Sequence, residues 1–200
     1  MWAFVLTAII IELTPGPNMT WLAVLGATRG RTAGLAAVAG IALGLALAGI
    51  VAAFGLTVLF GNFPSLMTVL RLAGTFYLFY LAYDAWNDAA QIETITAKPK
   101  FAFFRQGFIS NALNPKAYLF YAAILPQFIT ISDHPNQQLA ALTTIYVAVA
   151  TVIHATIAIL AGSISEWLTH SPSAQNVRRA LAIAIALAAI WFFISTGQLK

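Results

Sequence analysis

The chain has 200 residues, of which 60% are hydrophobic and 8% are charged. Soluble domains are about 45–50% apolar and about 25% charged, so the composition excludes a water-soluble globule and indicates an integral membrane protein. The absence of cysteine excludes disulfides and thiolate chemistry. The net charge of +4 comes from basic residues in short connections, a pattern typical of cytoplasmic loops rather than of a nucleic-acid surface.

Apolar stretches separated by connections rich in Pro, Gly and Asn predict six membrane-spanning helices. In chain order these cover residues 1–25, 34–60, 66–86, 107–131, 139–168 and 179–198. Six spans use most of the chain, so we expect a single transmembrane domain over residues 1–200. The first span has no basic segment before it and is expected to be retained rather than cleaved as a signal peptide.

Basic residues concentrate on one side of the predicted bundle. The first, third and fifth connections contain Arg29, Arg31, Lys98, Lys100, Arg105, Arg178 and Arg179. The opposite side has Lys200 and, at the start of the third helix, Arg71. Because basic residues stay in the cytoplasm, both termini are predicted to be periplasmic.

The two halves of the chain are similar at one point. Leu13-Thr14-Pro15 and Leu113-Asn114-Pro115 stand in the first helix of each half, residues 1–95 and 96–200. Three helices are an odd number, so the second half would enter the membrane upside down relative to the first. The sequence therefore predicts an all-α fold of six transmembrane helices in an inverted 3+3 repeat, with helices one and four broken.

Prolines interrupt the first helix between Glu12 and Asn18. Pro15 and Pro17 each remove an amide donor, and Gly16 between them adopts whatever conformation the interruption needs. Pro17 suits the first position of a new helix, whose positive N-terminal end would point into the membrane. The carbonyls freed by the prolines need protein partners or a water-filled cavity.

The fourth helix is interrupted in the same way at Asn114-Pro115, where Asn114 is a good N-cap and Pro115 a good first helical residue. Lys116 adds a positive charge beside that helix end and therefore needs an anionic neighbour. We expect this neighbour to be Glu12 or a bound carboxylate. A purely structural Glu12–Lys116 ion pair is the alternative.

The predicted site lies between the two interruptions. Its candidate substrate-binding residues are Glu12, Thr14, Pro15, Gly16, Pro17, Asn18, Asn111, Asn114, Pro115 and Lys116. Glu12 and His154 of the fifth span are candidate proton relays, although a histidine within a bundle is also often a hydrogen-bonded structural residue. No metal cluster, phosphate loop or catalytic triad is recognised, so no metal or cofactor is expected. Gly40-x-x-x-Gly44 predicts a close helix contact.

The chain resembles the lysine exporter (LysE/RhtB) superfamily, and most of all its branch of homoserine and threonine exporters. The resemblance is carried by Pro-Gly-Pro-Asn at 15–18, Asn-Pro-Lys at 114–116, Arg-Gly-Arg at 29–31 and Leu-Pro-Gln-Phe at 125–128. It implies a secondary transporter of the bacterial inner membrane that exports amino acids or close derivatives, coupled to the proton gradient and not to ATP.

Three other interpretations stay open at this point. They are a carrier of a non-amino-acid solute, a membrane-embedded enzyme using Glu12, Lys116 and His154, and a scaffold that transports nothing. We expect no enzymatic activity. The expected partners are an amino acid and the lipid bilayer, without nucleic acid, and a homodimer is a candidate assembly.

Overall fold

The computed structural model describes residues 1–14, 16–53, 65–90, 99–130, 135–165 and 173–197. Helices dominate this part of the chain, and it contains no strand. We number them α1 (Trp2–Leu13), α2 (Pro17–Arg29), α3 (Arg31–Ala53), α4 (Ser65–Ala90), α5 (Lys100–Ala112), α6 (Pro115–Leu119), α7 (Pro135–Gly162) and α8 (Ala174–Gly197). A π-helical turn, Phe120–Ile124, and a 3-10 turn, Leu125–Phe128, follow α6.

Four of the described helices, α3, α4, α7 and α8, are each long and apolar enough to cross a membrane. Helices α1 and α2 together make a fifth candidate span that is bent by 65°. The chain is therefore an all-helical, multi-pass membrane protein. The predicted fourth span appears as α5, α6 and the two irregular turns, and these short pieces do not form a continuous spanning helix.

Five of the described helices, α3, α4, α5, α7 and α8, begin earlier than the sequence predicts, whereas α1 begins at Trp2 instead of residue 1. Helix α3 begins at Arg31 instead of residue 34, because Gly30 alone turns the chain after α2 with a φ of +82°, a conformation that L side chains rarely adopt. Helix α5 begins at Lys100 instead of residue 107, since basic residues at a helix end near the membrane surface do not stop the helix. The predicted ends at 60, 131, 168 and 198 lie outside the described residues.

Glycines bring α3 and α5 into backbone contact. A Cβ atom added at Gly40 would collide with the carbonyl oxygen of Phe104, and one added at Gly107 would collide with the carbonyl oxygen of Ala37. A Cβ at Gly44 would lie 3.0 Å from the amide nitrogen of Asn111. The close contact predicted from Gly40-x-x-x-Gly44 is confirmed, and it fixes the distance between α3 and the end of α5.

Similar close packing joins α2 to α7. A Cβ added at Gly26 would lie 2.9 Å from the carbonyl oxygen of Ala158. Helix α4 packs along α8, and α3 also contacts α7. This arrangement places the end of α1 and the beginning of α2 opposite the junction between α5 and α6, with Glu12, Pro17 and Asn18 buried and Leu13 and Thr14 exposed.

Candidate functional site between the interrupted helices

The first interruption separates α1 from α2. Thr14 is extended, with φ −62° and ψ 118°, as expected for a residue that precedes a proline. Gly16 is the N-cap of α2, and Pro17 is its first residue. The interruption is as predicted, and Pro15 itself lies outside the described residues.

The second interruption separates α5 from α6. Asn114 is extended, with φ −90° and ψ 106°, and its side-chain oxygen accepts a hydrogen bond of 3.1 Å from the backbone N–H of Lys116. This is the predicted N-cap, with Pro115 at the first helical position. The hydroxyl of Tyr118 donates to the carbonyl of Ala112 at 2.9 Å, which satisfies an acceptor at the end of α5.

Side chains join the two interruptions directly. The amine of Lys116 donates to the carbonyl oxygen of Thr14 at 3.2 Å. The hydroxyl of Ser110 donates to the side-chain oxygen of Asn18 at 2.6 Å, and the amide of Asn18 donates to the side-chain oxygen of Asn111 at 3.5 Å. Asn18, Ser110 and Asn111 are all buried. Polar contacts therefore connect helices that are about 100 residues apart in the sequence.

Glu12 has partners that the sequence analysis did not assign. Its carboxylate is buried and accepts a hydrogen bond of 2.6 Å from the hydroxyl of Tyr146. The second carboxylate oxygen lies 3.6 Å from Nε2 of His154, which is also buried. Glu12 and Lys116 make no direct ion pair, because α7 supplies the partners of the carboxylate and the amine of Lys116 reaches the carbonyl of Thr14 instead. A bound carboxylate, the other anionic neighbour expected for Lys116, stays a prediction.

A cavity of about 300 Å³ lies between the two interruptions. Its polar lining includes the side chains of Glu12, Asn18, Asn111, Asn114, Lys116 and His154. The larger apolar side chains in its wall are those of Leu45, Leu119, Phe120, Ile124, Trp191 and Phe192. Volumes of about 300–1,000 Å³ are typical of small-molecule sites.

The cavity brings together most of the residues predicted as the site. Thr14, Gly16 and Pro17 also line it. Pro115 begins α6 and is buried without lining the cavity. Two buried polar atoms at the cavity have no hydrogen-bond partner among the described residues, namely Nδ2 of Asn111 and Nδ1 of His154. Such atoms are costly to bury unless a ligand or water satisfies them.

Sequence reasoning missed Tyr146 and the aromatic wall. Tyr146 precedes His154 by about two helical turns, so both side chains lie on one face of α7. That spacing could have identified Tyr146 once His154 was singled out. Phe192 could not have been found, because nothing in the sequence specifies which face of α8 turns inward.

A second polar cluster lies at the other end of the bundle. The amide of Gln106 on α5 donates to the carboxylate of Asp84 on α4 at 3.1 Å. Arg29 of α2 and Arg178 of α8 line the same small cavity of about 30 Å³ as these two residues, and Arg178 is 4% exposed. The sequence analysis assigned both arginines to connections, whereas they lie within helices that meet at this point.

The described residues contain no group of three or more His, Cys, Asp or Glu side chains that could hold a metal ion. Glu12 and Lys116 supply one group of each sign within the same cavity.

The chain is similar to bacterial efflux proteins. The family model described as "LysE type translocator" matches residues 9–196. The leucine efflux protein of Salmonella typhimurium is 33% identical over 135 residues, 66% of this chain and 64% of that protein, so the chain spans less than two thirds of the first curated relatives it matches. The homoserine/homoserine lactone efflux protein of the same organism is 28% identical over 170 residues, 84% and 82% of the two chains.

An uncharacterized membrane protein of Bacillus subtilis, YrhP, is 28% identical over 208 residues, which cover 98% of this chain and 97% of that protein. The length of this match agrees with the extent of the family match. No solved structure matches the chain.

Proposed function

Because the chain belongs to the LysE type translocator family, we propose that it is a secondary transporter that exports an amino acid or a close derivative. The observation that carries the proposal is the cavity between two interrupted helices, with one carboxylate and one amine in its lining. An amino acid is a small zwitterion, and it needs one partner of each sign. The names of the efflux relatives support the same class of cargo.

In this proposal, the cargo carboxylate binds the amine of Lys116 and the amide groups at the beginning of α2. A helix N-terminus carries free N–H donors and a partial positive charge, which favour an anion. Lys116 leaves the carbonyl of Thr14 when the cargo arrives, so its hydrogen bond is exchanged rather than lost. The unpartnered amide of Asn111 is a further donor.

The cargo ammonium binds the carboxylate of Glu12. A carboxylate has about four acceptor sites, so Glu12 accepts from an ammonium group while Tyr146 keeps its hydrogen bond. Proton coupling is part of the proposal. Glu12 takes a proton when the cargo has left, and His154, whose ring nitrogen lies 3.6 Å away, passes it on.

We further propose the six-helix inverted repeat as the framework for transport. The first span, α1 with α2, packs on α7, the fourth span, α5 with α6, packs on α3, and α4 packs on α8. A two-fold axis that exchanges residues 1–95 with residues 96–200 would interchange the first two contacts between spans and preserve the third. Alternating access would then be a rocking of one half against the other. The bacterial inner membrane, periplasmic termini and a homodimer remain parts of the same proposal.

The experiment is efflux from bacteria that express the chain and are loaded with dipeptides, whose hydrolysis raises the internal amino-acid concentration. We expect release of an amino acid that falls by about tenfold or more in Lys116→Ala and Glu12→Ala, since each variant leaves a cargo charge unpaired. Lys100→Ala, an exposed lysine at the beginning of α5, is the matched control. Unchanged release from both site variants would contradict the proposal.

A membrane-embedded enzyme is the second candidate, because Glu12, His154 and Lys116 do meet in one cavity. Family membership favours transport. The same efflux experiment separates the two, since a transporter releases chemically unchanged cargo. Conversion of the loaded compound that depends on Glu12 would favour the enzyme.

A further inference from the structure

Tyr146 contacts a functional group on each side of the cavity. Its hydroxyl donates to the carboxylate of Glu12 at 2.6 Å, at the end of α1. Its ring stacks on Phe120, immediately after α6, with centroids 3.7 Å apart and an interplanar angle of 12°. Tyr146 and Phe120 are both about 1% exposed. One side chain of α7 therefore joins the cavity carboxylate to the segment that follows the second interruption.

Neighbouring rings restrict the movement of Tyr146. Tyr121 packs edge-on against it at 5.5 Å and donates its own hydroxyl to the carbonyl of Leu45 at 3.0 Å. Phe4 of α1 packs against Phe120 at 6.0 Å. Tyr146 is thus unable to turn away from Glu12 without displacing the π-helical turn, Phe120–Ile124. Single π-helical turns are frequent at functional sites.

The groups that face Glu12 come from three elements. Tyr146 and His154 belong to α7, Lys116 to α6 and Tyr121 to the π-helical turn. Of these, Tyr146 alone among the described residues makes a hydrogen bond to the carboxylate. The orientation of Glu12 in the cavity therefore depends on the Tyr146 hydroxyl.

We propose that Tyr146 is a positioning residue that couples cargo bound at Glu12 to movement of the second interrupted helix, an inference that rests on the function proposed above. The hydroxyl holds the carboxylate where the cargo ammonium binds. The ring transmits displacement of Glu12 to Phe120 and so to the π-helical turn. The two parts of the side chain have separable tasks, because the hydroxyl governs affinity and the stacked ring governs turnover.

Two variants separate these tasks in a kinetic assay of export in inside-out vesicles. Tyr146→Phe keeps the ring and removes the hydroxyl, so we expect KM to rise about tenfold while kcat stays within about twofold. Phe120→Leu keeps the hydrogen bond on Glu12 and removes the stacking, so we expect kcat to fall while KM stays within about twofold. Phe120→Met replaces Phe120→Leu if the latter does not fold, because the flexible, unbranched methionine side chain adapts better to the space left by the ring.

A cargo analogue without its amino group gives the second readout. It has no ammonium for Glu12, so its inhibition constant is expected to be the same for the unsubstituted protein and for Tyr146→Phe. A general structural defect would instead weaken the binding of the cargo and of the analogue equally. A fall in kcat as large as the rise in KM for Tyr146→Phe, or equal effects of this variant on cargo and analogue, would overturn the inference. If the unsubstituted protein exports no amino acid, the proposed function fails instead.

Discussion

The amine of Lys116 donates a hydrogen bond to the carbonyl of Thr14 across the two interrupted helices. Thr14 lies between α1 and α2, where its carbonyl is outside the helical hydrogen-bond ladder. The contact satisfies a freed acceptor and a partly buried amine together. Because the amine of Lys116 binds this carbonyl, it makes no direct ion pair with Glu12. The amine and the carboxylate therefore both remain accessible to a zwitterion in the same cavity.

The close packing of α3 on α5 predicts that Gly40→Val destabilises the protein. The added side chain would meet the backbone of Phe104, which cannot move aside as a flexible side chain can. Overpacking of this kind costs about 1–3 kcal/mol or more, and at this chain length each kcal/mol lowers Tm by about 2–4 °C. Thermal unfolding of the purified protein measures the effect.

Leu43→Val is the matched control for that prediction, because Leu43 is on the same helix and 44% exposed at the outer surface of the bundle. It should leave Tm within about 2 °C. Equal Tm values for Gly40→Val and the unsubstituted protein would mean that α3 and α5 are not in backbone contact.

If the end of the bundle that carries the polar cluster around Asp84 faces the cytoplasm, as the proposed topology requires, the cluster closes the cavity on the cytoplasmic side. Asp84 and Arg29 belong to the first half of the chain, and Gln106 and Arg178 to the second, so their contacts hold the two halves together. Asp84→Ala is expected to favour the state in which the cavity opens toward this end. We expect a cysteine placed at Met19, in the cavity wall, to react about fivefold faster with an impermeant thiol reagent in inside-out vesicles.

The chain has no cysteine of its own, so the reaction reports this position alone. Asp84→Asn is the informative comparison, because an asparagine oxygen still accepts from Gln106 while the negative charge beside Arg29 and Arg178 is lost. Labelling of the Met19→Cys protein that is equally fast with and without Asp84→Ala would show that the cluster does not close the cavity.

If the cargo is an amino acid, as proposed, the charges of the cavity wall predict which amino acids are exported fastest. Among the described residues, the charged side chains that line the cavity are Glu12 and Lys116, and the other titratable side chains in its lining are Tyr146 and His154. The α-carboxylate of the cargo binds Lys116 and its α-ammonium binds Glu12. A basic side chain on the cargo therefore has no acidic partner left in the cavity. We expect a neutral apolar amino acid to be exported at least about tenfold faster than lysine. Release from cells loaded with mixed dipeptides measures both rates together.

Ile124→Asp tests the same point by adding a carboxylate to the wall. This variant is expected to gain lysine export, and Ile124→Asn, which is similar in size and uncharged, is expected to gain none. Lysine export by the unsubstituted protein at the rate of the apolar cargo would contradict the charge argument.

Much of the fold could be predicted because its signals are local. The apolar stretches determine the spans, the prolines determine both interruptions, and Asn114 caps α6 as expected. The family resemblance carried by Pro-Gly-Pro-Asn at 15–18 and Asn-Pro-Lys at 114–116 is confirmed. These features depend on residues a few positions apart.

The contacts that define the cavity could not be predicted, because they depend on how each helix is rotated about its axis. Tyr146 meets Glu12 only because one face of α7 turns toward α1. The predicted partner of Lys116 was Glu12 or a bound carboxylate, and the observed contact is with a backbone carbonyl, which no residue type in the sequence signals.

The most direct test of the central claim is the binding of a cargo amino acid and two analogues, one without the amine and one without the carboxylate, to purified protein and to Glu12→Gln and Lys116→Ala. If Glu12 and Lys116 hold opposite ends of the cargo, Glu12→Gln weakens binding of the cargo and of the carboxylate-free analogue by about tenfold. It leaves binding of the amine-free analogue unchanged. Lys116→Ala should weaken binding of the cargo and of the amine-free analogue by about tenfold and leave binding of the carboxylate-free analogue unchanged. Equal losses for all three compounds in both variants, or no loss in either, would contradict the account.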